Sequence, residues 1–181
     1  MVIKLVHKLI AHYHASSIYD IDPDFFLSLG VSTVFVSLDN SLENYNVDKP
    51  SSKAYELRDE LKNRGISLII YSFKKSNRAI EYAKMLETQF MGGRKLSKTI
   101  KKYLEINGID SNVLVFVGAS IYKDCRLALK VGTQMILTDF LPGKLSAMNK
   151  FDIFKERIAR NKAIRNKTNG RKVPNKTSEV I

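Results

Sequence analysis

The chain has 181 residues, 44% of them hydrophobic, which is enough for one substantial core and too few for two ordinary domains. Its single cysteine, Cys125, excludes an internal disulfide and fits a reducing compartment. The formal net charge is +12, and ten basic residues from Lys150 to Lys176, set against Asp152 and Glu156, supply a net +8 of it, so the positive field belongs to a C-terminal element.

Residues 2–14 place Val2, Val6, Leu9 and Tyr13 on one helical face with Ile3 and Ile10 beside them, which predicts a short amphipathic helix. It either docks on the domain's own sheet or lies in a membrane surface with Lys4 and Lys8 near anionic head groups. His7, His12 and His14 have no nearby Cys or carboxylate pair to complete a metal site and read as surface residues. The lysines interrupt the apolar residues too often for a signal peptide, and no apolar run has the length of a membrane span. The expected location is cytoplasmic, with peripheral attachment at the inner face of the membrane as its variant.

Asp20-Ile21-Asp22-Pro23-Asp24 predicts a capped helix start, with Gly30 ending the helix after Leu29. The first strand, Thr33 to Leu38, is apolar and β-branched and ends in the polar cluster Asp39-Asn40-Ser41. A helix from Ser51 to Arg64 follows, stopped by Gly65, then a second buried strand from Ile66 to Tyr71 that ends at Ser72. Next come a helix from about Asn77 to Leu86, a short strand from Thr88 to Met91, a Gly92-Gly93-Arg94-Lys95 loop and a helix to Ile106. Asn112 to Val117 is a further strong strand that stops at Gly118-Ala119-Ser120. Asp124 to Val131 is helical, Thr133 to Thr138 is the last strand, and Leu141-Pro142-Gly143 closes the sheet.

Strands alternating with helices at this spacing imply right-handed βαβ units, hence an α/β fold with a three-layer, doubly wound parallel sheet. The expected division is an N-terminal helical segment over 1–30, a core over 31–145, a basic C-terminal helix over 146–169 and a tail without regular structure over 170–181. Ligands of such sheets sit outside the carboxyl ends of the strands. That rule singles out Ser37, Asp39, Asn40 and Ser41.

At four strand ends in order, the chain resembles the haloacid-dehalogenase (HAD) superfamily, and most closely its YqeG-like branch in subfamily IIIA, related to phosphatidylglycerophosphate phosphatases. The likeness runs from about Tyr13 to Arg165 and includes Ile21-Asp22-Pro23 and the basic helix, with no cap inserted after the first or second strand. The family's Asp-x-Asp-Asn-Thr is here Ser37-Leu38-Asp39-Asn40-Ser41. Asp39 therefore matches the general acid/base, while Ser37 stands where the nucleophilic, magnesium-binding Asp belongs. Ser72 matches the phosphoryl-holding hydroxyl, and Arg78 matches a basic residue of the branch one helical turn on. Lys95 matches the phosphate-neutralising lysine without its following proline. The family's Gly-Asp-Gln-x-x-Thr-Asp is here Gly118-Ala119-Ser120-Ile121-Tyr122-Lys123-Asp124, so Ala119 replaces the first magnesium-binding acid, Asp124 keeps the second and Lys123 replaces Thr.

A phosphoaspartate mechanism needs a carboxylate nucleophile and a metal to offset the charge on the transferring group. A serine hydroxyl is a weak nucleophile without a base, and Asp39 is the only candidate. With two acids gone, no cofactor is expected, and Asp124 alone leaves any magnesium site weakened. Lys123 either places its ammonium near the vacated metal position, paired with Asp124 or Asp39, or points into solvent. Ser72 and Lys95 also admit plain readings, as a helix cap and a surface lysine. Cys125 reads as packed and inert.

Three functions follow as expectations. The first is a catalytically degenerate binding or regulatory protein, with a residual phosphate pocket of Ser72, Lys95, Asn40 and Ser41 and a protein partner of unknown kind. The second is a working phosphatase on a phosphomonoester such as phosphatidylglycerophosphate, by an altered mechanism. The third is contact with RNA or an anionic membrane surface through residues 150–176, salt-sensitive and without DNA sequence specificity.

Overall fold

The computed structural model of the chain describes residues 11–142, 150–165 and 169–173. Seven strands form one all-parallel sheet: β1 (Ala11–Ala15), β2 (Thr33–Ser37), β3 (Ser67–Ser72), β4 (Gln89–Gly92), β5 (Leu114–Gly118), β6 (Gln134–Thr138) and β7 (Asn169–Lys172). Their spatial order is β4-β3-β2-β5-β6-β1-β7. The chain leaves β2 toward β3 on one side and returns to β5 on the other, so the crevice between β2 and β5 is the topological switch point.

Period-two alternation sends neighbouring side chains to opposite faces, and each face has its own core. On one face Val34, Val36, Ile70, Val115 and Val117 pack with Phe26 of α1 (Pro23–Ser28), Leu57 and Leu61 of α2 (Ser52–Asn63) and Tyr82 of α3 (Asn77–Met85). On the other, Phe35, Tyr71, Phe116 and Leu137 pack with Ile100 of α4 (Leu96–Ile106), Leu127 of α5 (Arg126–Val131) and Ala159 of α6 (Lys150–Arg165). Phe35 and Phe116 stack across paired strands with centroids 4.9 Å apart. This is the three-layer α/β architecture expected from the sequence, with no domain inserted after β2 or β3.

Two expectations need correction. The last residues of the predicted amphipathic helix, Ala11 to His14, instead belong to β1, flanked by β6 and β7; residues 1–10 lie outside the described residues. Helical spacing lost to tertiary pairing here, because a strand flanked on both sides satisfies its backbone groups and needs only Ala11 and Ala15 buried. Similarly, Asn169–Lys172, three of its four residues inside the polar tail expected to lack structure and the first in the expected helix, pairs with β1. An outermost strand is held by main-chain hydrogen bonds and tolerates polar side chains, so it left no apolar signal. Residues 174–181 lie outside the described residues.

Among the described residues no helix is long and apolar enough to cross a membrane. A helix, α6, occupies Lys150–Arg165 of the basic segment, and not all of its charge faces outward. Arg160 is turned inward, donating to the backbone oxygens of Thr138 at 2.8 Å and of Ala119, and its guanidinium lies 4.7 Å from the Phe140 ring centre.

Candidate functional site

The carboxyl ends of β2, β3, β5 and β6 enclose a cavity of about 80 Å³ at the switch point. Ser37, Asp39 and Asn40 reach it from β2, Ser72, Phe73 and Lys74 from β3, Ala119, Ser120, Lys123 and Asp124 from β5, Phe140 from β6, and Tyr45 from the loop before α2.

After β2 the backbone turns tightly, with Leu42 N–H bonded to Ser37 O and Asn40 N–H bonded to Glu43 O. Asn40 takes a φ of +67°, a left-handed conformation that asparagine tolerates better than most residues. Its side chain is 93% buried against the cavity, and Oδ1 has no partner among the described residues. Ser41 is buried beneath the turn and does not line the cavity, so of the two only Asn40 faces a ligand.

Asp39 accepts one hydrogen bond at each oxygen, and its side chain is 30% exposed. Arg78 Nη1 donates to Oδ1 at 2.8 Å, and Ser72 Oγ donates to Oδ2 at 3.3 Å. The same guanidinium donates to Val47 O at 2.8 Å and to Asn44 O at 3.0 Å, clamping the loop after β2 onto α3. One guanidinium nitrogen thus serves the carboxylate and the other two serve the loop carbonyls.

Asp124 sits in a single wide helical turn, Ile121–Cys125, in which Cys125 N–H reaches back five residues to Ser120 O. Such turns recur at functional sites because they re-aim one side chain. The carboxylate is buried and shared: the Tyr71 hydroxyl donates to Oδ1 at 2.9 Å and Ser120 N–H to Oδ2 at 2.8 Å. Ser37 is paired directly across the strands with Tyr71. Burial pushes the Asp124 carboxyl up to about 6, with the Glu156 charge adding and the Ser120 N–H, the Tyr71 hydroxyl and Lys123 opposing. Burial first, and then the Asp124 charge, hold the Tyr71 phenol well above its usual range.

Gly118 is required by this arrangement, since a Cβ there would meet Asp124 Cγ at 2.4 Å. Gly118→Ala is expected to lower stability by about 1–3 kcal/mol, an overpacking cost readable in urea melts. An unchanged midpoint would show that Asp124 moves freely.

Lys123 lines the cavity and is exposed, but the ion pair expected for it with Asp124 or Asp39 is absent among the described residues. Tyr71 and Arg78 already occupy those carboxylates. Lys95 is not brought to the cavity; it stands exposed at the start of α4, beyond the edge strand β4, and Lys74 takes its place at the rim. Cys125 is buried, and burial pushes its thiol far up, as an inert packed residue requires. His12 Nδ1 accepts from Met135 N–H, and His14 lies 3.3 Å from Asp139.

Sequence reasoning missed two residues that shape the site. Tyr71 read only as the last apolar position of a buried strand. Glu156 read as one acid in a basic run, yet it is 99% buried and accepts from Ser120 Oγ at 2.5 Å, Ile121 N–H at 3.0 Å and Tyr122 N–H at 3.1 Å. It caps the turn that carries Lys123 and Asp124. Its only signal was a charge of the wrong sign for its surroundings.

For a magnesium ion the cavity offers two carboxylates, Asp39 and Asp124, whose oxygens each already accept one hydrogen bond, from a guanidinium and a hydroxyl on one side and a phenol and an amide on the other. Ser37 and Ala119 add no carboxylate, and no group of three or more His, Cys, Asp or Glu is placed to hold a metal among the described residues.

No family model matches the chain, and no curated protein matches it. Solved structures do. A hypothetical protein of Xanthomonas campestris is 16% identical over 66% of this chain and 70% of its own, with a TM-score of 0.52. The 3-deoxy-D-manno-octulosonate 8-phosphate phosphatase of Moraxella catarrhalis, solved with magnesium, phosphate and the sugar acid, is 15% identical over 66% of this chain and 75% of its own, again at 0.52. A Vibrio cholerae protein assigned the same activity is 15% identical over 70% of this chain and 78% of its own, at 0.51. At these identities the likeness is one of fold: the chain has the HAD-like α/β fold, as its motif order implied.

Proposed function

We propose that this chain is a YqeG-like, catalytically degenerate phosphatase-fold protein that binds a phosphate or phosphomonoester without a divalent cation, in a binding or regulatory role. The observation that carries the reading is the Tyr71 hydroxyl on Asp124 Oδ1, which gives the cavity's buried carboxylate an internal partner. Asp39 pairs with Arg78, so both cavity carboxylates have protein partners, which weighs against either attacking phosphorus or deprotonating Ser37. What remains suits a tetrahedral anion: the Ser72 and Ser37 hydroxyls, the Asn40 amide and the ammonium groups of Lys74 and Lys123 all border one small space. Glu156 already fills the amide end of the following turn, so the anion belongs on the β2 and β3 side of the cavity. The partner this implies is a protein, or an anionic surface met by the basic residues of the 150–176 segment.

Two measurements test the reading. Release of phosphate from p-nitrophenyl phosphate with magnesium is expected to stay at the no-enzyme rate. Inorganic phosphate is expected to bind equally in EDTA and in magnesium by titration calorimetry, and the Ser37→Asp, Ala119→Asp double variant is expected to become magnesium-dependent. Turnover by the unmodified protein that disappears in Asp39→Asn would overturn it.

A further inference from the structure

We propose that the phosphate ester bound here carries a flat ring, as aryl phosphates and nucleoside monophosphates do; the inference rests on reading the cavity as a phosphate pocket. The enclosed space of about 80 Å³ accommodates a phosphoryl group and little more, well below the volume that buries a whole small-molecule ligand. The remainder of any ester must therefore lie across the mouth, and the mouth is aromatic. Tyr45, Phe73 and Phe140 line it, each from a different loop. Core packing accounts for Phe73, which leans edge-on against Tyr71 with centroids 5.9 Å apart. It does not account for the other two. Tyr45 and Phe140 belong to neither core layer, and Tyr45 is 43% exposed.

The rim is also held in place. Arg78 fixes the carbonyls of Asn44 and Val47 on either side of Tyr45. Asn44 Nδ2 donates to Pro142 O at 3.1 Å, and Leu141 N–H donates to Asn40 O at 3.2 Å, which joins the Tyr45 loop and the phosphate-side turn to the Phe140 segment. Arg160 covers the Phe140 ring by cation–π contact. A rim whose backbone is fixed before the ligand arrives loses less entropy on stacking, and stacking tolerates any base or aryl group because every such group has a π-face. Phe73 and Phe140 already have Tyr71 and Arg160 as neighbours, so an acyclic or sugar ester would leave the exposed Tyr45 ring without a partner. Lys74 and Lys123, on opposite loops, bracket the phosphate end of the same opening.

The test is titration calorimetry in EDTA with inorganic phosphate, glycerol 3-phosphate, phenyl phosphate and AMP. Phenyl phosphate or AMP is expected to bind about tenfold tighter than glycerol 3-phosphate, the size of one stacking contact. Which of the two gains the advantage tells whether the ring lies one bond or one ribose from the phosphoryl group. In Tyr45→Ala the ratio of ring ester to glycerol ester should fall to near one, and in Tyr45→Phe it should persist. The inference is overturned if neither ring ester beats glycerol 3-phosphate, or if the advantage survives Tyr45→Ala, while inorganic phosphate still binds. If inorganic phosphate itself fails to bind, the phosphate reading falls and this inference with it.

Discussion

Glu156→Ala should lower the unfolding free energy by about 3 kcal/mol or more, among the largest single-residue losses expected outside the apolar core. The carboxylate is 1% exposed and accepts from one hydroxyl and two backbone N–H groups, all at the start of the Ile121–Cys125 turn. Removing it strands those donors without water to replace it, and an unsatisfied buried donor costs its full desolvation penalty. The negative charge also faces the positive end of the helical segment that continues into α5, so the loss has an electrostatic part. Glu156→Gln keeps one acceptor oxygen but turns an amide toward the remaining N–H, so an intermediate loss is expected. Urea denaturation of the three proteins reads the series directly. A loss in Glu156→Ala below about 1 kcal/mol would mean the turn recaps itself from elsewhere. Because Ser120, Lys123 and Asp124 line the cavity, phosphate binding should weaken together with stability. For this reason the basic helix is not a removable appendage. It enters the fold through Glu156 and Arg160, and deleting it disturbs the site as well as the charge.

The central frame was legible because it depends on patterns that the chain states locally. The apolar runs Thr33 to Leu38, Asn112 to Val117 and Thr133 to Thr138 each end in polar residues, and the helix punctuation at Pro23, Ser51 and Gly65 appears where the elements begin and end. Ser37, Asp39, Asn40 and Ser41 were singled out by strand-end position and Ser72, Ala119, Lys123 and Asp124 by the family resemblance, and the structure brings all of these but Ser41 to one cavity. The flanking strands were not legible. Ala11–Ala15 carries helical spacing and Asn169–Lys172 is polar, and both owe their conformation to a neighbour rather than to themselves. Lys95 followed a motif whose loop, in this chain, starts from the edge strand and stays outside. Glu156 and Tyr71 act through partners about 35 and 53 residues away, 35 for Glu156 with Ile121 and 53 for Tyr71 with Asp124, separations at which a single sequence holds no pairing information. The chemistry of the site is set by those long-range hydrogen bonds, which is why the missing acids were visible from the sequence and their replacements were not.

Asp124 should make the folded state lose stability as pH rises through mildly acidic values. Its carboxyl titrates near 6 when folded, against an ordinary value of 3.8. Between those values the folded chain holds a proton that the unfolded chain has released, so stability falls with increasing pH across that window and levels off above it. A shift of two units corresponds to about 3 kcal/mol. Other carboxylates titrate in the same range, so the informative quantity is the difference in unfolding free energy between the unmodified protein and Asp124→Asn, measured at several pH values. Relative to the variant, the unmodified protein should lose about 3 kcal/mol between pH 4 and pH 7. The causes oppose one another: burial and the Glu156 charge raise the carboxyl, while the Ser120 N–H, the Tyr71 hydroxyl and Lys123 lower it. Tyr71→Phe deletes one of the lowering contacts, so in that background the descent should extend to higher pH. A difference that stays flat from pH 4 to pH 7 would mean that water reaches Asp124. The buried, internally partnered carboxylate on which the metal-free reading depends would then not exist in solution.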